Sequence, residues 1–247
     1  MVKIQKAESI DDLKALIFGP SGSGKTHLIG TAQEDPRTAP LIVLDFEGGS
    51  RTLQGTGVDI ARIKSWEDYN EIYEMLLNDP DHGYKTVSID SISETNTFAL
   101  FQILENNAEN RDDPDLIEIG DYGTASVQLR RLIRHFRDLP MSVIISALPR
   151  EDIEPRVGTV MKPLLTGRLA NEIPGIVDVV GYLAQETVDE VVQRVLVLQN
   201  YPQFRTKVRM PSGVEAPDEI EDPTITKLLD AIAMPMPTKK NRKKNNK

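Results

Sequence analysis

The 247-residue sequence contains no cysteine, only three histidines, and aromatic residues at just 5%. Without cysteine there is neither a disulfide nor a thiolate metal site. His27, His82 and His135 are scattered and show no metal-ligand spacing. No stretch approaches the roughly 18 apolar residues that a membrane span requires. The opening MVKIQKAESIDD lacks the pattern of a secretory leader. No internal repeat is present. These absences exclude secreted disulfide scaffolds, zinc modules, membrane helices and solenoids, and a cytoplasmic location is expected.

What is present suits one large α/β domain: 39% hydrophobic and 27% charged residues are enough for a real core. The charge is unevenly placed. The net charge is −9, yet the last ten residues, TKKNRKKNNK, hold six Lys/Arg and no acid. Removing those six positive charges leaves −15 on residues 1–237. An acidic body with a basic end predicts a local polyanion contact. The division expected is a lead segment over residues 1–13, one α/β domain over 14–233 and a disordered basic tail over 234–247.

Short apolar runs predict buried strands at Lys14–Phe18, Leu41–Phe46 and Val143–Leu148, with further strands at Asp59–Ile63 and Thr86–Asp90. Helical spacing predicts helices near Lys25–Gln33, Trp66–Leu77, Ile92–Asn106, Thr124–Leu139 and Thr224–Ile232. Their alternation over the first 150 residues implies a mostly parallel sheet with helices on both faces. The proline-rich Pro149–Pro174 stretch reads as a long loop or small insertion. Strands expected at Ile176–Leu183, Val191–Leu198 and Phe204–Met210 suggest a β-meander at the C-terminal edge.

The sharpest motif is Gly19-Pro20-Ser21-Gly22-Ser23-Gly24-Lys25-Thr26, lying between a predicted strand and a predicted helix. Its glycines let backbone N–H groups converge on a phosphate, and the helix N-terminus adds positive partial charge. Lys25 reaches the β- and γ-phosphates, and the Thr26 hydroxyl is a Mg²⁺ ligand. Asp90, ending the apolar strand Val87-Ser-Ile-Asp90, is the expected acidic partner of that ion. ATP and Mg²⁺ are therefore the expected cofactors. Ser91 follows Asp90, so the catalytic base must come from elsewhere, and Glu47 in LDFEGGSR is the candidate. Asp45-x-x-Gly48 also matches a GTPase switch, but the sequence has no Asn-Lys-x-Asp to read guanine.

A P-loop, a strand ending Asp-x-Glu-Gly with an arginine soon after, and a strand ending Asp-Ser together resemble the RecA-type recombinase core. GPSGSGKT, LDFEGG, SIDSISE, Tyr122-Gly123, VIISALPRE and PLLTGRLANEIPGIVDVVGYL are similar to the phage-encoded, core-only ATPases of single-strand annealing recombination, the fourth Sak type. The likeness runs from about Ala15 to Ala231. It implies a P-loop NTPase with a RecA-like core, and a ring or filament with ATP between subunits. Single-stranded DNA and a single-strand binding protein are the implied partners, in the host cytoplasm. Lys207 and Arg209 would then reach the γ-phosphate of a neighbouring subunit, joining Lys25 and Glu47 as catalytic candidates. Recombinases usually place a glutamine after the strand equivalent to VIISAL. Leu148-Pro149 stands here, leaving Ser146 or Arg150 to substitute.

In that pattern two loops hold DNA. The first, Asn107–Ala125, is acidic. The second carries Arg150, Arg156, Lys162 and Arg168 for phosphate contacts, and it lacks aromatics for stacking. Arg130, Arg131, Arg134 and Arg137 form a stripe at helical spacing. Lys239, Lys240, Arg242, Lys243 and Lys244 of the tail add attraction. Two other readings stand beside DNA recombination: a nucleotide kinase, and an ATP-gated adaptor in replisome or virion assembly.

Overall fold

Every second residue of the first apolar run faces the same way, and both faces must be covered. β1 (Lys14–Phe18) sends Leu16 and Phe18 into one hydrophobic cluster and Ala15 and Ile17 into another. β2 (Leu41–Asp45), β4 (Thr86–Asp90) and β5 (Ser142–Ala147) are buried along their whole length. That explains why they read as continuous apolar runs. β3 (Asp59–Arg62) lies at the sheet edge and is largely exposed. This computed structural model describes residues 12–165, 169–188 and 191–234. The N-terminal segment up to residue 11, Arg168, and the tail lysines and arginine Lys239, Lys240, Arg242, Lys243 and Lys244 lie outside the described residues.

α1 (Lys25–Gly30) continues into a 3-10 turn over Thr31–Glu34, so the expected single helix to Gln33 tightens in its second half. α2 (Trp66–Asn78) opens on a capping box: Ser65 accepts from the Asp68 N–H, and Asp68 accepts from the Ser65 N–H. α3 (Ile92–Asn107) is capped by Ser91. α4 spans Ile119–Arg137 and starts five residues earlier than expected. Its first turn contains Gly120 and Gly123, weak helix formers. Asp121 secures that turn by accepting from the Glu118 N–H at 2.8 Å and pairing with Arg111 at 2.5 Å.

The Pro149–Pro174 stretch is a small insertion with its own structure and not a long loop. It holds the hairpin β6 (Pro149–Glu154) and β7 (Gly158–Pro163), then α5 (Leu169–Ile176). Mixed charges and flanking prolines hid the strands, whose side chains are mostly exposed or half-buried. β8 (Val179–Val188) and β9 (Val191–Val197) pair antiparallel as expected. β10 is only Lys207–Val208, and it pairs with β8 rather than extending a meander from β9. β11 (Glu219–Glu221), unforeseen, takes the edge beside β9, and α6 (Ile225–Ala231) follows it.

Among the described residues the main sheet has nine strands, in the order β11-β9-β8-β1-β5-β4-β2-β3, with β10 also on β8. β8, β1, β5, β4, β2 and β3 run parallel. One core cluster joins the sheet to α2–α5, and the other joins it to α1 and α6. β5 separates the P-loop strand β1 from the Asp90 strand β4. All of these parallel strands deliver their C-terminal ends to one edge, where ligands bind in open α/β sheets.

Candidate functional site

The loop after β1 turns sharply because Gly22 and Gly24 adopt φ of +79° and +97°, a region open to glycine and strained for other residues. Gly19 faces a second constraint: a Cβ there would lie 2.5 Å from the Leu183 carbonyl oxygen of β8. Lys25 folds back over the loop and donates from Nζ to the Gly19 and Pro20 carbonyls, at 2.9 Å each. Burial pulls its pKa below the usual lysine range, and the carboxylates of Asp90 and Glu47 oppose that pull. A buried ammonium held by two neutral carbonyls is matched to an incoming phosphate.

Asp90 is buried at the end of β4, with both carboxylate oxygens held. Thr26 Oγ1 donates to Oδ2 at 2.7 Å, and Ser146 Oγ of β5 donates to Oδ1. Among the described residues no three acidic, imidazole or thiolate groups gather to hold a metal by themselves. Mg²⁺ needs no such cage, because it is held by one or two protein oxygens together with substrate phosphates and water. Thr26 and Asp90 fit that role. Asp45, also buried, accepts from the N–H groups of Gly48 (2.7 Å), Glu47 (3.2 Å) and Gly49 (3.3 Å). This turn carries the exposed Glu47 across to β4, where its Oε1 accepts from Ser91 Oγ. The residues expected from sequence at the phosphate end (Lys25, Thr26, Asp90 and Glu47) thus meet at one place, although β2 ends before Glu47.

One neighbour of the loop had no sequence signal. Arg194 is a lone arginine in the strand Val-Gln-Arg-Val of β9, yet its Nε donates to the Ser23 carbonyl at 3.2 Å. Its side chain lies where a Cβ on Gly24 would project. Ser146 was a substitute sensor in the sequence, and its hydroxyl in fact anchors Asp90. A groove of about 400 Å³ opens between Pro20, Ser21 and Ser23 and the end of β8 at Ala184–Thr187.

The remaining candidates lie elsewhere. Lys207 Nζ donates to the Pro174 and Val177 carbonyls at 2.5 and 3.0 Å. Arg209 donates to the Gly175 carbonyl and pairs with Asp178. Both cations therefore cap the C-terminal end of α5 within their own chain. On the hairpin, Arg150 pairs with Asp152, and Lys162 pairs with Asp152 and Glu154. Arg205 also pairs with Glu154. Arg156 sits exposed in the hairpin turn at φ +73°.

A P-loop whose lysine and threonine face a strand-end aspartate, on a sheet with a strand inserted between the two motifs, defines a P-loop nucleotide-binding fold. The chain belongs to the AAA domain family (AAA_24), whose sequence pattern matches residues 11–210. Among solved structures it is similar to a KaiC-like protein of Pyrococcus horikoshii OT3. The identity is 14% over 85% of this chain and 88% of that one, with a TM-score of 0.44. It is also similar to the flagellar accessory protein FlaH of Methanocaldococcus jannaschii, at 10% identity over 88% of each chain and a TM-score of 0.41. No curated protein matches its sequence. No helix among the described residues is long and apolar enough to cross a membrane.

Proposed function

We propose that this chain binds ATP with Mg²⁺, hydrolyses it slowly, and couples that cycle to single-stranded DNA in recombination, promoting annealing or pairing of strands. The observation that carries the ATPase part is the meeting of Lys25, Thr26, Asp90 and Glu47 at one sheet edge. Lys25 offers the cation for the β- and γ-phosphates. Thr26 directly, and Asp90 through water, would hold Mg²⁺, which supplies screening of the phosphate charge. Glu47 is the acceptor for the proton of the attacking water. Its hydrogen bond to Ser91 keeps that acceptor engaged elsewhere, which supports slow, gated turnover. The DNA part rests on the sequence resemblance to phage annealing ATPases, and a homo-oligomer with ATP between subunits belongs to the same reading.

The test is ATP binding and hydrolysis with and without single-stranded DNA, at low and moderate salt. Lys25→Ala should abolish nucleotide binding. Glu47→Gln should bind ATP normally and lose at least about 100-fold in turnover. A Glu47→Gln enzyme that hydrolyses at the normal rate removes Glu47 from the chemistry. ATP turnover with no DNA binding even at low salt, where phosphate contacts are strongest, would turn the reading toward an ATP-gated assembly protein or a nucleotide kinase.

A further inference from the structure

Most cations of the hairpin after β5 are neutralised locally. Arg150 and Lys162 pair with Asp152 or Glu154, and Arg205, outside the hairpin, also pairs with Glu154. A phosphate contact at Arg150 or Lys162 must break ion pairs that are already made. The face of α4 differs. Arg130, Arg131, Arg134 and His135 stand at i, i+1, i+4 and i+5, so they share one side of the helix. With Val127 they line a groove of about 300 Å³ that contains no acidic side chain. Arg130 is bonded to Glu172 of α5 at 2.7 Å. Arg131 and Arg134 are exposed, and among the described residues neither has an ion-pair partner. On a chain of net charge −9 this is a concentrated exception.

The groove also has flat and apolar surface. His135 is stacked on Tyr73, ring centroids 4.6 Å apart, and its Nδ1 lies 2.9 Å from the Tyr69 hydroxyl. Burial pushes the Tyr69 phenol far above its ordinary pKa, so it stays protonated and can donate to Nδ1. That bond fixes the imidazole ring at one end of the groove. Val127, 52% exposed, supplies an apolar contact beside it. Paired cations beside a fixed ring and an aliphatic surface form the combination that binds single strands without reading their sequence.

We infer that the α4 groove is a contact site for the phosphodiester backbone of single-stranded nucleic acid, with Arg131 and Arg134 on phosphates and His135 and Val127 against a base. This rests on the DNA-binding reading above and deepens it by moving the contact from the hairpin to α4. The groove is separate from the phosphate loop, so basal ATP turnover serves as the control for folding.

The experiment is fluorescence anisotropy of a labelled oligodeoxythymidine with ATP present, at low and moderate salt. Four proteins are compared: the unmodified chain, Arg131→Glu with Arg134→Glu, Arg131→Lys with Arg134→Lys, and Arg150→Gln with Lys162→Gln. The α4 pair should lower affinity at least about tenfold at low salt. It should also flatten the salt dependence by about 1.4, the value for two phosphate contacts on a single strand. Arg131→Lys with Arg134→Lys should keep the salt slope. The hairpin pair should leave affinity within about threefold. If the unmodified chain binds and the α4 pair binds equally well, or the hairpin pair loses more, this inference is overturned while the DNA reading survives. If the unmodified chain hydrolyses ATP but binds no oligonucleotide at either salt, both fall together.

Discussion

Ser91 occupies two positions at once, and removing its hydroxyl should move two observables in opposite directions. The hydroxyl donates to Glu47 and also accepts from the Glu94 N–H at 3.4 Å, as the N-cap of α3. A hydrogen bond to a carboxylate is worth about 1.5–3 kcal/mol, but Glu47 is exposed, so solvent reduces this to about 1 kcal/mol. If this bond holds Glu47 away from the attacking water, Ser91→Ala should raise basal turnover about fivefold. The long cap bond is worth about 0.5–1 kcal/mol, so the variant should unfold at slightly lower denaturant. Steady-state ATP turnover and urea unfolding on the same sample measure both. The double variant Ser91→Ala with Glu47→Gln should be as slow as Glu47→Gln alone, because the gain passes through Glu47. A Ser91→Ala protein that binds ATP normally but turns over at or below the original rate would refute the argument, and Ser91 would then be orienting Glu47 for reaction.

Arg37 is buried and binds Asp35 through Nε and Nη2, Asp230 at 2.7 Å and the Met234 carbonyl at 3.0 Å. Arg37→Ala leaves the buried Asp35 carboxylate unpaired and should cost about 3–5 kcal/mol in denaturant unfolding, a loss that Asp35→Asn in the same chain partly restores. The hydrogen bonds from Arg37 hold the Asp35 pKa at about 2, below the ordinary 3.8. Its stabilising contribution should therefore be full above about pH 3.8 and fade as pH falls toward 2, and an acid titration of Arg37→Ala should lack that component. Gly19→Ala drives a methyl against the Leu183 carbonyl, and should weaken ATP binding at least about tenfold by shifting the phosphate loop, measured by titration calorimetry.

The central strands were legible because β1, β2, β4 and β5 are covered on both faces, and such strands must be apolar at every position. Lys25, Thr26 and Asp90 were legible because phosphate and Mg²⁺ chemistry leaves little freedom in residue type or spacing. The hairpin was hidden because its strands pack one side only, with Val160 buried and Ile153 largely exposed, and its ladder runs through Pro149 and Pro163. β11 is three residues long with acids at both ends, too short for any alternation to register. Arg194 could not be found at all: nothing local in its strand says that the register of β9 against β8 aims it at Ser23. Lys207 and Arg209 both meet the end of α5 in their own chain, a partner set by long-range packing that no local pattern could show.

The small hydroxyl of Ser93 has a mechanical consequence. It accepts from the Leu148 N–H at 3.0 Å and donates to the Leu164 carbonyl at 3.1 Å, while the Leu164 N–H bonds the Leu148 carbonyl at 2.7 Å. Leu148 and Leu164 are the residues immediately before and after the hairpin, so one rivet pins both of its roots to the first turn of α3. That turn begins at Ser91, beside Asp90 and Glu47. The hairpin strands are six residues each, giving a lever arm of about 20 Å, so a tilt of roughly 10° at the rivet swings the tip by about 3–4 Å. The base of the hairpin thus shares its anchor with the turn that carries Ser91, beside Asp90 and Glu47.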